Sequence, residues 1–359
     1  MILKDTALFI GKERDISWIN VSKAICMLLV FAYHTGVYLD YNSPLYHFYA
    51  PFFTNTFFFV SGYLIFRKQL AQGVIDIPVK SWAGRSGGGR KMLSSIVNKI
   101  VFPTIFFSLI NFLLKTLLRS KGFQVWDLIS DTILGGSLWF TCALAVAELI
   151  VFAILLSRKR SIWFYLTLSL IIAFVGIMIA HAGISIKGNT SIPWYYKTGM
   201  IATLFISVGG LFGKYEKQVD SILCKYHNVP AWGVAFIYVL LAMTVPLPIK
   251  TAINTCSLNL LGLGLSGISI IAMVYLCKLI PSQRSIQWLG RHTLGMYFLS
   301  GGIPNIIAIV VNRFGVNMNY MLFLALSIFA YVLAAIGVWI LDKHIPFVFD
   351  TRKLISHRV

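Results

Sequence analysis

RDISWINVSKAICMLLVFAYH, Arg14 to His34, is the stretch whose reading decides the fold. A polar opening, Arg14 to Ser17, leads into an apolar segment that carries one cation at Lys23 and closes on an imidazole at His34. Eleven positions separate the two. At ~3.6 residues per turn and ~1.5 Å rise, they lie on one helix face about 16 Å apart. An ionisable group inside a membrane helix is costly unless it lines a cavity, a partner or a water path, so a functional site is the default reading. The competing reading is that Lys23 snorkels to the headgroups and His34 meets water at the far interface.

The rest of the chain repeats the apolar pattern. Of 359 residues 58% are apolar and only 12% charged, with a mean hydropathy of +0.79, far outside the range of a soluble domain. Apolar runs of ~20 residues fall at 17–39, 51–66, 100–118, 138–157, 162–182, 197–213, 230–247, 255–277, 293–312 and 320–341. The expected fold is an all-α polytopic integral membrane protein of about ten transmembrane helices. The second and sixth runs are short, and the ninth is interrupted by Gly301, Gly302 and Pro304. No internal repeat is visible.

With the N-terminus in the cytoplasm, the cytoplasmic segments hold 23 Lys and Arg and the opposite side 7. By the positive-inside rule both termini are then cytoplasmic. Residues 1–345 read as a single transmembrane domain and 346–359 as a short cytoplasmic tail. The net charge of +19 is explained by this asymmetry, with membrane lipids as partners and no nucleic acid, because no soluble fold presents a basic surface. No cleavable signal peptide is expected, since the opening 16 residues are largely polar and no small-residue cleavage site follows the first apolar run. The five cysteines show neither CxxC nor Cys/His ligand spacing, so neither a disulfide framework nor a metal site is implied.

Several stretches together resemble the membrane acyltransferase-3 family. Lys23-x10-His34, preceded by RDISWIN, resembles its Arg-x10-His signature in the first helix. PFFTNTFFFVSGYLI (51–65), Lys99 to Pro103, SLWFTCAL around Trp139 and LGRHTLGMYFLS (Leu289 to Ser300) resemble later family segments in the same order. Three departures stand out: Lys23 replaces Arg, Asn20 stands where Asp is frequent, and Ser300 stands where many relatives carry a histidine.

The resemblance implies acyl transfer, usually of acetyl from acetyl-CoA to a hydroxyl of a glycan or glycan-lipid acceptor, in the bacterial inner or plasma membrane. Such chemistry needs a base, a donor for the developing oxyanion and an anchor for the CoA phosphates. His34 suits the base, because a neutral imidazole takes a proton near physiological pH. His47, His227, His344 and His357 fall in loops or the tail, and His181 and His292 near helix ends. Lys23 suits a phosphate as a point charge. Arg14, Arg85, Arg90, Lys91 and Lys99 are candidates for the nucleotide end, Arg14 foremost because the motif carries it. The run KSWAGRSGGGRK (Lys80 to Lys91) reads equally as a phosphate-wrapping loop or a solvated positive-inside loop.

Trp139 and Glu148 complete the candidate set as substrate-side residues, with no metal. Glu148 stands inside the fourth apolar run and needs a partner: it orients His34, pairs with Lys23, or is a hydrogen-bonded structural acid. Trp139, Trp194, Tyr195 and Tyr196 read either as sugar-stacking faces or as an aromatic belt. A transporter or flippase for a saccharide or lipid-linked intermediate is the alternative function, suited by the broken ninth helix and the intramembrane charges.

Overall fold

The structure, a computed structural model, describes residues 16–71, 88–119, 124–156, 161–183, 193–244, 260–281 and 283–352. Arg14, Arg85 and Gly87 lie outside them. Among the described residues there is no strand. In chain order the helices are α1 (Ser17–Tyr38), α2 (Tyr46–Tyr49), α3 (Asn55–Ala71), α4 (Gly88–Ile96), α5 (Phe102–Arg119), α6 (Val125–Asp131) and α7 (Trp139–Leu155). They continue as α8 (Ile162–His181), α9 (Tyr196–Lys225), α10 (Val229–Thr244), α11 (Leu260–Leu279), α12 (Arg284–Arg291), α13 (Thr293–Ser300), α14 (Gly302–Arg313) and α15 (Tyr320–His344).

Among the described residues six helical stretches are long and apolar enough to cross a membrane: Ser17–Tyr38, Gly89–Leu114, Ile162–His181, Leu261–Leu279, Thr293–Arg313 and Tyr320–His344. The remaining apolar runs are helical too, but of other shapes. The 17 residues each of α3 and α7 extend about 26 Å at ~1.5 Å per residue, short of a hydrocarbon core of about 30 Å. α9 and α10 form a pair bent by 100°.

Two helices differ from the sequence expectation for a physical reason. The sixth run becomes the 30-residue α9, because Glu216 and Asp220, one turn apart, continue it on a face that bonds to α11. Gly88 and Gly89 open α4 instead of lying in a loop. A wide turn at Val97–Val101 then joins α4 to α5 as one long segment.

The bundle has two hubs. α1 packs against α3, α11, α12, α13, α14 and α15, while α9 packs against α3, α7 and α8. Apolar side chains gain little by leaving lipid for one another, so close backbone approach through small residues is what holds membrane helices together. α3 and α9 meet in this way. A Cβ on Gly62 would collide with the Ile206 carbonyl, and one on Gly209 with the Phe59 carbonyl. α12 approaches α1 equally closely, Gly290 lying on the Asn20 backbone.

A polar knot fastens the end of the bundle where α1 begins. Lys278 of α11 reaches Glu216 Oε1 at 3.0 Å and Asp220 Oδ1 at 2.5 Å. Trp18 Nε1 donates to Glu216 Oε1 at 3.1 Å, and the Tyr63 hydroxyl donates to Glu216 Oε2. Four helices, α1, α3, α9 and α11, are thereby tied at one carboxylate. Beside it, Asn20 Nδ2 donates to Gln287 Oε1 at 2.7 Å, and Gln287 Nε2 donates to the Ser17 carbonyl at 3.2 Å. The neutral Asn20 thus meets a neutral amide in a buried place.

Past α15, the described part of the tail packs back on the α4–α5 junction. Thr351 donates to Asn98 Oδ1, Phe349 stacks on Phe107 at 5.8 Å, and Lys99 stands 4.0 Å from Asp350. Burial by itself would raise the Asp350 carboxyl, but hydrogen bonds and charge from Arg352 hold it below the usual carboxylate value.

The glycine contact is testable. Gly62→Val should lower the melting temperature of the purified protein, since overpacking of this kind costs about 1–3 kcal/mol or more. Gly233→Ala, at a site with nothing within 4 Å of the added carbon, should leave it unchanged or raise it. Equal melting of the two variants would refute the contact.

Candidate active site

Because α1 runs unbroken from Ser17 to Tyr38, the register read from the sequence holds, and Lys23 and His34 stand on one face. His34 is half-buried at the far end of the helix, its ring 5.5 Å from that of Tyr33 and 6.2 Å from that of Tyr38. It lines a cavity of about 10 Å³ together with Val30, Thr54, Phe57, Trp139, Phe140 and Tyr297. A space of that size admits about one water-sized sphere.

The lining comes from four places in the chain: α1, the segment around Thr54 at the head of α3, the start of α7, and α13. Phe140 and Tyr297 are locked together, since the Tyr297 hydroxyl accepts from the Phe140 backbone N–H at 3.1 Å and their rings lie 5.2 Å apart. That bond leaves the Tyr297 O–H proton to be donated elsewhere. Phe57 and Phe140 meet at 5.5 Å. Thr54 is 3% exposed, and its Oγ1 has no hydrogen-bond partner within the protein. Buried hydroxyls are almost always partnered. An unpartnered one beside an imidazole, on a cavity wall, is where a polar group of a ligand would be received.

Trp139 is held from outside the bundle. Trp194 and Tyr195 adopt left-handed backbone at φ 53° and 48°, a conformation that costs a non-glycine residue roughly 1–2 kcal/mol. Trp194 donates through its backbone N–H to the Leu134 carbonyl and through Nε1 to the Ile133 carbonyl, each at 2.8 Å. The Tyr195 hydroxyl donates to the Gly136 carbonyl at 3.2 Å, and its ring lies 6.4 Å from Trp139. The pair clamps the turn that leads into α7.

The other candidates take different places. Lys23 is half-buried on α1, about 16 Å from His34 along the axis, and does not line the cavity. Beside it, the Tyr331 hydroxyl donates to the Ala24 carbonyl at 3.1 Å. Glu148 accepts a hydrogen bond from Ser61 Oγ, one turn along α3 from Phe57, and is not in the lining either. Arg90 and Lys91 are exposed in the first turns of α4, and Lys99 is exposed at the wide turn near Asp350. Ser300 donates back to the Tyr297 carbonyl at 2.7 Å. Among the described residues no group of three or more His, Cys, Asp or Glu is placed to hold a metal.

Thr54, Phe57, Phe140 and Tyr297 are lining residues that sequence reading did not single out one by one. Thr54, Phe57 and Tyr297 sit inside the stretches 51–65 and 289–300, and Phe140 follows Trp139. The signal was the co-occurrence of these strings with Lys23-x10-His34, not any single residue.

Comparison with known proteins adds one match. A family model described as an acyltransferase domain, that of acyltransferase 3, covers residues 16–342. No curated protein and no solved structure matches the chain.

The unpartnered hydroxyl gives a direct test of this geometry. Thr54→Val keeps the shape and removes an oxygen that bonds to nothing in the protein, so it should melt at the wild-type temperature or above it. A loss of more than about 2 kcal/mol of stability would mean that Thr54 is hydrogen-bonded after all.

Proposed function

The chain belongs to the acyltransferase-3 family, and from that premise we propose that it moves an acetyl group from acetyl-CoA at the cytoplasmic face to a hydroxyl of a glycan or glycan-lipid acceptor at the other face. Membership makes it a multi-pass membrane acyltransferase. Donor, acceptor and sidedness are our reading. The observation that carries it is the convergence of four separated stretches, each resembling the family, on the one cavity that contains His34.

In this reading His34 takes the proton of the acceptor hydroxyl as its oxygen attacks the thioester carbonyl. The carbonyl oxygen becomes an oxyanion, and the Thr54 and Tyr297 hydroxyls are the donors at hand for it. When the tetrahedral intermediate collapses, the C–S bond breaks and the imidazolium returns its proton to the departing CoA thiolate. The acceptor leaves as its acetyl ester. Trp139 offers a flat face to the sugar ring. A cavity of about 10 Å³ is too small for either reactant, so lining side chains turn aside when they bind.

The donor's phosphates stay at the end of the bundle where α1 begins. Arg90 and Lys91 stand at the N-terminus of α4, where free backbone N–H groups favour an anion, with Lys99, Arg14 and Arg85 as further cations. Lys23 lies between that end and His34, and serves the donor as a point charge within the membrane. Ten membrane-crossing segments with both termini cytoplasmic fit this arrangement, the short α3 and α7 and the bent α9–α10 pair included.

Thioester cleavage by the purified protein is the test. His34→Ala should cut it by about 10²–10⁴-fold with insertion intact. Lys23→Met should raise the KM for acetyl-CoA more than it lowers kcat, and Lys23→Arg should retain most activity. Wild-type turnover in His34→Ala would end the assignment, and an unchanged KM in Lys23→Met would remove the donor role of position 23.

A further inference from the structure

A second hollow in the protein lies away from His34. A groove of about 460 Å³ runs between α12 and α15, lined by Trp288, Leu289, Tyr331, Val332, Ala335, Ile336 and Trp339. It opens outward: Trp339 is 54% and Ile336 49% exposed. On a membrane-crossing helix such as α15, what meets this wall is lipid.

The groove is graded from apolar to cationic. Val332, Ala335 and Trp339 follow one another at three- and four-residue spacing on α15, and Lys343 continues that face by one turn. Its ammonium stands 5.4 Å from the Trp339 ring. On α12 the exposed Arg284 precedes Trp288 by one turn. Trp339 thus has an ammonium next to it, and helical spacing puts Arg284 on the face of α12 that carries Trp288. Asp342, the acid at this mouth, is turned to His292 Nε2 at 3.6 Å, and the His292 ring stacks on Trp288 at 4.3 Å. Indoles and cations side by side are the arrangement that receives a lipid headgroup, the indole at the level of the glycerol and the cation on the phosphate.

We propose that this groove is a binding site for one anionic phospholipid, its acyl chain laid along Val332, Ala335 and Ile336 and its phosphate held between Arg284 and Lys343. Two ties connect the occupant to α1. The Tyr331 side chain forms the floor of the groove, and its hydroxyl holds the Ala24 carbonyl next to Lys23. α12, the other wall, holds Asn20 through Gln287. A lipid in this place braces the helix that carries Lys23 and His34, whatever the acyl acceptor is.

The experiment uses the full-length protein in nanodiscs, with phosphatidylglycerol or phosphatidylcholine of identical chains. After delipidation, phosphatidylglycerol should be retained at about one molecule per chain by native mass spectrometry and should raise the melting temperature, and phosphatidylcholine should do neither. Arg284→Gln with Lys343→Gln should weaken retention on the order of 30-fold, from the attraction of two cations near an anionic surface. Ala335→Trp, which fills the groove, should abolish retention of either lipid. Should that variant fail to fold, the double Gln variant decides alone. Equal retention of both lipids by the wild type, or wild-type retention by the double variant, would show an ordinary lipid-facing wall and overturn the site.

Discussion

The contact of α3 with α9 at Gly62 and Gly209 is the constraint on which the rest of the bundle depends. Neither residue has a side chain, so each helix lies against the other's carbonyl oxygens. In a lipid environment this closeness has to supply what the hydrophobic effect supplies in water. α9 also carries α7 and α8. The approach of α3 therefore decides where Thr54 and Phe57 stand relative to Trp139 and Phe140. His34 comes to the same place on α1, which is fastened to α3, α9 and α11 through Trp18, Tyr63, Glu216 and Lys278.

The interior polar groups divide into two kinds. Most are closed pairs: Asn20 with Gln287, Ser61 with Glu148, Ser169 with Ser207. Such pairs specify which helices meet, because an unmatched partner in the apolar interior costs free energy. Among the described residues five buried hydroxyls have no partner in the protein, and of these Thr54 is the one on the wall shared with His34. On that wall an unpartnered hydroxyl and an imidazole face the same space. This is what a site that must receive a carbonyl oxygen requires.

How much of this was legible in the sequence depended on distance along the chain. The helical runs were legible because composition and length suffice, and the Lys23–His34 register because α1 is unbroken. Asn20 looked like a departure from its relatives until Gln287, 267 positions away, supplied the matching amide. The Glu216 knot was not legible, since Lys278 is 62 residues from its carboxylate and lies one position past the end of the eighth apolar run. Glu148 needed a partner, and which of three it takes is decided by the packing of α7 on α3, not by its neighbours in sequence. Thr54 stood in an aromatic-rich run in which nothing marks one threonine as unpartnered. The glycines of 87–89 suggested a loop, whereas α4 starts at Gly88 because the segment after it is continuous with α5.

The central claim is that one interior site, reached by the donor from one face and by the acceptor from the other, carries the transfer. Sealed vesicles of uniform orientation, given acetyl-CoA labelled in the acetyl group on the cytoplasmic side only, test it most directly. The account predicts that free CoA accumulates on that same side while the label leaves the thioester for the opposite side, and that both stop in His34→Ala. Consumption at equal rates from either face, or transfer that continues without His34, would contradict it.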